Sequence, residues 1–242
     1  MKTINILTLF PSFFAGFLDN SIVKRAIAKG AVKFNIINIR DYSLDRNHRV
    51  DDRPSGGGAG LIMRMEPVMD CLRKNHLMET HKILMSPKGH TYRQPDAIRL
   101  ASLPEDITLI CGHYEGIDSR FDQRVDELIS IGDFILTGGE IAATAIADSI
   151  TRLLPGAIAE ESTQEESFGS DLLEYPQYTF PKDYEGDTIP EVLFSGDHEQ
   201  VREFHLERAL EETIDKRPDL LRKKVWTKEE LTALAKLKAS RK

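Results

Sequence analysis

The chain has 242 residues, 40% of them apolar and 29% charged, with a formal net charge of −7. That length buries a sizeable core, as one large domain or as one domain with a small companion, and the composition is neither disordered nor membrane-like. No apolar run approaches the roughly 20 residues of a membrane helix, so no membrane partner is expected; Cys71 and Cys111, without disulfide or zinc spacing, read as buried thiols of a cytoplasmic protein.

TINILTLF (3–10) predicts an apolar strand, and Pro11 suits the first position of a following helix. Lys2 ahead of an apolar start has the look of a signal peptide. Asn5 and Pro11 interrupt the run, however, and no small-residue cleavage pattern follows, so strand-then-helix explains it better. SIVKRAIAKG (21–30) predicts a short helix capped by Ser21 and ended by Gly30, and VKFNIINI (32–39) alternates as a second strand. Residues 40–60 are polar, then Gly-rich, with no periodicity. EPVMDCLRKNHLMET (66–80) predicts a helix opened by Pro67, HKILMS (81–86) a strand, PDAIRLA (95–101) a helix and ITLIC (107–111) a strand. GDFILTGGE (132–140) is expected as a strand ending in paired glycines, and IAATAIADSITRLL (141–154) as a helix ended by Pro155 and Gly156.

This alternation predicts an α/β domain over 1–156, a parallel sheet with helices on both faces. Ligands of such sheets sit beyond the C-terminal strand ends. Three glycine-bearing turns occupy that place, SPKG (86–89), CGHYEG (111–116) and LTGGE (136–140), and are expected to converge on one small molecule.

Periodicity fails from 157 to 196, which reads as a long acidic interdomain loop of the kind that is usually functional or disordered. DHEQ (197–200) and TKEE (227–230) have the capping-box pattern. They open expected helices at 198–215 and 228–240, with another short one after Pro218, so 197–242 is expected to be a small helical domain. From Ala157 to Glu199 there are twelve Asp or Glu against Lys182 alone, and from Lys216 to Lys242 ten Lys or Arg against three acids. The negative total therefore does not exclude a polyanion, since phosphates respond to the local field; a solvated helix face is the other reading.

Several common chemistries are excluded. A dinucleotide-binding or common methyltransferase sheet needs G-x-G directly after its first strand, where this chain has Phe10, Pro11 and Ser12. SGGGAGLIM (55–63) lacks the Lys and Ser or Thr of a phosphate loop, no G-x-S-x-G elbow exists, and seven histidines show no zinc-ligand spacing.

Taken together, VDDRPSGGGAGLIM (50–63), CGHYEGID (111–118), SIGDFILTGGE (130–140), DSITRLLPG (148–156) and SFGSDLLEYPQYTFP (167–181) closely resemble the bacterial tRNA (guanine-N1)-methyltransferase family, TrmD. The likeness runs from the first strand to the C-terminal helices, in order and with matching spacing. It implies the SPOUT α/β fold, whose C-terminal part of the sheet is tied in a trefoil knot, a topology that general connection rules speak against. It also implies a homodimer whose active site is shared between chains, S-adenosyl-L-methionine in the knot, and methylation of guanine N1 at the tRNA nucleotide immediately 3′ of the anticodon. The rivals are a SPOUT enzyme acting on another RNA nucleoside and a non-catalytic RNA- or nucleotide-binding protein.

By this resemblance the cofactor would be enclosed by Met85, Ser86, Pro87 and Gly89, by Gly112, Tyr114 and Gly116, and by Ile131, Gly132, Asp133, Phe134, Ile135, Leu136, Gly138 and Gly139. The chemistry of the residues agrees: Ile131, Phe134 and Leu136 suit a flat apolar slot for adenine, and glycines at 112, 116, 138 and 139 let main chain approach where a Cβ would clash. Glu115 either faces the sulfonium cation or stabilises the start of the next helix. The family's general base is an aspartate before Ser-Phe; here that position is Glu166, one methylene longer, with Glu165 as its neighbour. Arg152 matches the arginine that stabilises charge on the base, and a helix C-terminal cation is its alternative reading. Family members are described as magnesium-dependent, although no spacing here demonstrates a metal site. Phosphate contacts are expected from Arg222, Lys223, Lys224 and Lys228, and from Arg46, Arg49 and Arg53, with Trp226 either stacking on a base or packing in the small domain. The chain departs from the family pattern at His113, where arginine is common, at Phe134, where tyrosine is frequent, and at Ala142, where proline is frequent.

Overall fold

The computed structural model describes residues 1–158, 171–222 and 224–240. The chain divides into two compact units between Glu160 and Glu161. In the first, β1 (Lys2–Thr8) leads through a 3-10 turn and α1 (Ala15–Leu18) to α2 (Ser21–Ala28) and β2 (Val32–Asn38). A short antiparallel pair, β3 (Asp51–Asp52) and β4 (Ile62–Met63), brackets the Gly-rich loop. Then come α3 (Met65–Lys74), β5 (His81–Thr91), α4 (Gln94–Ser102), β6 (Ile107–Cys111), β7 (Glu127–Ser130) and α5 (Glu140–Thr151). Five strands form one sheet in the order β2-β1-β6-β5-β7, every pair parallel.

Strand periodicity splits the interior in two. Ile4, Ile6, Ile83, Met85, Ile107, Leu109 and Cys111 face one core, closed by Ala26 of α2, Leu100 of α4 and the Ala143–Ile150 face of α5. Leu7, Leu84 and Ile110 face the other, closed by Val68, Met69, Cys71 and Leu72 of α3. Helices thus cover both faces, as the alternation predicts. The polar interruption at Asn5 is paired inside the sheet: its Nδ2 donates to the Ile107 carbonyl at 3.2 Å and its Oδ1 accepts from Asn35 at 2.8 Å.

Four local expectations are corrected. The strand expected at 132–140 lies earlier, at Glu127–Ser130, and residues 131–139 form an irregular turn with Gly132 at φ 151°. Two acids in DELIS hide the strand, whereas FIL in the following turn mimics one. The helix expected to reach 80 stops at Lys74, because Asn75 turns its amide back to the Cys71 carbonyl at 2.8 Å and His76 takes φ 57°. Ser21 does not cap α2: it is the helix's first residue, at φ 43°, and Asn20 holds the cap position. The stretch expected as loop contains a small hairpin, β8 (Asp183–Tyr184) with β9 (Asp187–Thr188), and a 3-10 turn at Glu191–Phe194.

The second unit carries that hairpin, α6 (His198–Lys216), a 3-10 turn at Leu220–Arg222 and α7 (Lys228–Ser240). Leu172, Ala209, Leu210 and Ala233 form its core, with Tyr175, Leu206, Leu221 and Trp226 packed around it. At α7 the capping box is complete, Thr227 Oγ1 accepting from Glu230 N at 3.2 Å and Glu230 Oε2 from Thr227 N at 2.9 Å. At α6 it is half made: Asp197 accepts from the amides of Glu199 and Gln200, but Gln200 reaches the Asp197 carboxylate, and Ser195 Oγ takes the Asp197 amide.

Candidate active site

The middle of β5, where residues 86–89 leave the sheet, and the C-terminal ends of β6 and β7 build one cavity of about 350 Å³ in the first unit. β5 leaves its ladder with β7 after Met85 and rejoins at His90, both opposite Ile129, so residues 86–89 loop out of the sheet. Gly89 makes the return possible, because a Cβ there would overlap the Leu128–Ile129 main chain. The turn after β6 is tight: Tyr114 sits in the left-handed region at φ 59° and Gly116 at 113°. The turn after β7 closes on it through an antiparallel bridge from His113 to Gly138 and a Gly139 N–H donating to the Gly112 carbonyl at 2.9 Å.

The Gly-rich loop is the outer support of this arrangement. Glu115 N donates to the Leu61 carbonyl, Met63 N to that of Gly116 and Asp118 N to that of Met63, at 2.8–3.0 Å. Glu115 lies so close to Gly60 that a Cβ there would sit 2.5 Å from its Cγ. Behind the cavity, Glu140 is buried and accepts from Thr8 Oγ1 at 2.8 Å. Burial, and then the Glu140 charge, push the Cys111 thiol well above its ordinary value; burial and then Asp41 push Cys71 up to about 12. Both therefore stay inert thiols at neutral pH.

Met85, Ser86, Pro87, Gly112, Tyr114, Glu115 and Gly116 line this cavity, as do Ile131, Gly132, Phe134, Ile135, Leu136, Gly138 and Gly139. Gly89 and Asp133 do not: the first acts on β7, and the second is exposed. The reasons for the glycines differ as well. Bulk decides at Gly139, where a Cβ would lie 2.8 Å from Cys111 Cα; at Gly138 a Cβ would press on the side-chain ends of Glu140 and His113; Gly116 is required by its backbone angle alone, and Gly112 by neither. Lys88, Ser119, Asp122 and Thr137 also line the cavity and were not singled out by sequence reasoning. Lys88 belongs to the turn SPKG; Asp122, in the 3-10 turn Ser119–Arg124, carries no signal in the sequence.

Other expected residues lie apart. Arg152 caps the far end of α5, about 18 Å along the axis from Glu140, and is not among the lining residues. Glu165, Glu166 and Lys223 lie outside the described residues. Arg46 and Arg49, before β3, and Arg53, after it, are exposed, and Arg222 and Lys228 are exposed on the second unit. Lys224 is not presented to solvent: its side chain is 4% exposed and its ammonium meets Glu230 at 2.9 Å, beside the Trp226 ring. Trp226 packs against the small core. Among the described residues no group of three or more His, Cys, Asp or Glu is placed to hold a metal ion, and no helix is long and apolar enough to cross a membrane.

Comparison with known proteins agrees with the motifs. The profile of the family described as tRNA (Guanine-1)-methyltransferase TrmD matches residues 1–223. Curated relatives include the tRNA (guanine-N(1)-)-methyltransferase of Carboxydothermus hydrogenoformans, 48% identical over 94% of this chain and 90% of its own length. The enzymes of the same name from Acholeplasma laidlawii and Aster yellows witches'-broom phytoplasma are 46% and 43% identical, each over 97% of both chains. A match spanning nearly the whole chain, over a sheet whose turns bring CGHYEGID and SIGDFILTGGE together at one cavity, makes this chain a member of the tRNA (guanine-N1)-methyltransferase TrmD family.

Proposed function

We propose that the chain methylates guanine N1 at the tRNA nucleotide immediately 3′ of the anticodon, with S-adenosyl-L-methionine held in the strand-end cavity. The observation that carries the reading is the convergence of three separate turns on one cavity, with Gly139 packed against the Cys111 main chain where no side chain fits. Its volume of about 350 Å³ falls within the range of small-molecule sites. Ile131, Phe134 and Leu136 offer adenine an apolar slot, and Glu115 supplies a negative charge for a sulfonium cation. The bound cofactor supplies an electrophilic methyl group.

Guanine N1 carries a proton at neutral pH and is a poor nucleophile until that proton leaves. Glu166 is assigned as the base, with Glu165 as its rival, and Arg152 as the cation that steadies the carboxylate. Arg152 stands at the end of α5 remote from the cavity of its own chain, which supports a homodimer in which each site draws on both chains. The target guanosine must leave its stack to reach the cavity. Arg46, Arg49, Arg53, Arg222, Lys223 and Lys228 are assigned to tRNA phosphates, whereas Lys224 is engaged by Glu230. The same reading makes the C-terminal strands a SPOUT trefoil knot, supported by the chain passing from β6 across β5 to β7 at the sheet edge, and makes 197–242 a tRNA-binding helical domain. Magnesium, in a mostly hydrated form, belongs to the proposal as well.

Transfer of labelled methyl to unmodified tRNA transcripts carrying G or A after the anticodon tests it. Label is expected on the G transcript only; equal labelling of both overturns the proton-removal chemistry, and no labelling of either overturns the activity.

A further inference from the structure

Among the residues that line the cavity, Lys88 is the single Lys or Arg, and its Nζ meets Asp122 Oδ2 at 3.4 Å. The backbone that carries both residues is held by rigid neighbours. Gly89 locks the loop against the Leu128–Ile129 main chain, and the Lys88 amide donates to Ser86 Oγ at 3.3 Å. Asp122 follows Phe121, which is fully buried, on the 3-10 turn Ser119–Arg124. The nearby Arg120 is no rival cation: two bonds of 2.9 and 2.6 Å bind it to Asp118, and it does not line the cavity.

We propose that Lys88 and Asp122 read the amino-acid end of the methyl donor, Lys88 taking its α-carboxylate and Asp122 its α-ammonium. The inference rests on the cavity's assignment to S-adenosyl-L-methionine and adds the residues that select for its zwitterionic tail. The tail carries one negative and one positive group a few bonds apart, and the mouth of the cavity offers one charge of each sign in contact. With 64% of the Lys88 side chain and 30% of the Asp122 side chain exposed, their mutual attraction is screened and contributes little to stability. Exchanging it for two charge-assisted bonds inside a cleft is therefore favourable. The pair also explains a lysine on this loop, where the other lining residues of the segment are uncharged.

Isothermal titration of the full chain with S-adenosylhomocysteine and with 5′-methylthioadenosine, which lacks the amino-acid tail, tests this. Lys88→Met is expected to weaken S-adenosylhomocysteine roughly 10- to 100-fold and to leave 5′-methylthioadenosine unchanged, with Lys88→Arg retaining most of the affinity. Asp122→Asn is expected to show the same selectivity. Equal losses on both ligands, or none on either, overturn the proposal. Failure of the unsubstituted chain to bind either ligand removes the cofactor assignment itself, and the tail-reading role with it.

Discussion

Gly139 and Gly112 face the same cavity for different physical reasons, and single methyl groups separate them. At Gly139 a Cβ would meet Cys111 Cα at 2.8 Å and Met85 Cβ at 3.0 Å, in main chain and core that cannot swing aside. Gly139→Ala is therefore expected to cost about 1–3 kcal/mol of stability, as overpacking does. At Gly112 the nearest atom to a new Cβ is Ile117 Cγ1 at 3.7 Å, an ordinary contact. Gly112→Ala is expected to melt within a degree or two of the parent, and to bind S-adenosylhomocysteine more weakly because the methyl occupies ligand space. Thermal melts beside titrations separate the two; normal binding by Gly112→Ala would remove the ligand as the reason for that glycine. At the proposed base, Glu166→Gln removes the proton acceptor while preserving size. Turnover is expected to fall roughly 100- to 10,000-fold with cofactor affinity intact, and Glu166→Asp to keep activity, since it restores the family's side chain. Unchanged turnover in Glu166→Gln moves the base to Glu165 or elsewhere.

At the scale of elements, the buried pair of Lys224 and Glu230 ties the segment before α7 to its first turn. Burial alone would raise the Glu230 carboxyl, yet the Thr227 amide and the Lys224 ammonium hold it below its usual range. A carboxyl lowered on folding contributes stability that is complete above its unfolded value of about 4.3, and that is lost as pH falls through the lower folded value. Trp226 is the single tryptophan of the chain and packs in this unit, so its fluorescence reports this unit's unfolding. The urea midpoint is expected to drop on acidification from pH 5 to about pH 3. Glu230→Gln should cost about 3 kcal/mol at neutral pH, because it removes the carboxylate that faces a buried ammonium, and should flatten that pH dependence; a variant as stable as its parent would show the pair to be dispensable. The same segment shows what sequence reveals. TKEE announced its capping box because each bond runs between residues three apart. In the sequence Lys224 looks like a phosphate ligand, because its burial depends on Glu230 and Trp226 closing over it. Likewise ITLIC reads as a strand because four of its five residues are apolar, whereas ELIS is hidden because Glu127 and the more apolar turn after it reverse the usual contrast. The three turns were legible as glycine-bearing strand ends. Asp122 was not, since only the fold carries it from the next segment to the cavity mouth.

For the whole molecule, the decisive question is whether one chain holds a complete site. The cavity belongs to β5, β6 and β7, while Arg152 ends α5 about 18 Å from the helix start that borders it. A symmetric dimer resolves this separation if each cavity is served by the arginine and loop acid of the partner. The arrangement has a consequence that a self-contained site lacks. Chains carrying Glu166→Gln have an intact cavity and no base; chains carrying Gly139→Ala have a base and a damaged cavity. Each is expected to be nearly inactive alone. Mixed and allowed to exchange subunits, half of the dimers are heterodimers, and in each of those one cavity is intact and faces an intact base. About one quarter of all sites should then recover. A self-contained site predicts no recovery beyond the sum of the two parents, because every chain would still lack one component. Methyl transfer measured before and after exchange, with size-exclusion chromatography confirming dimers throughout, distinguishes the outcomes, and activity that stays at the parental level would place base and cofactor in the same chain.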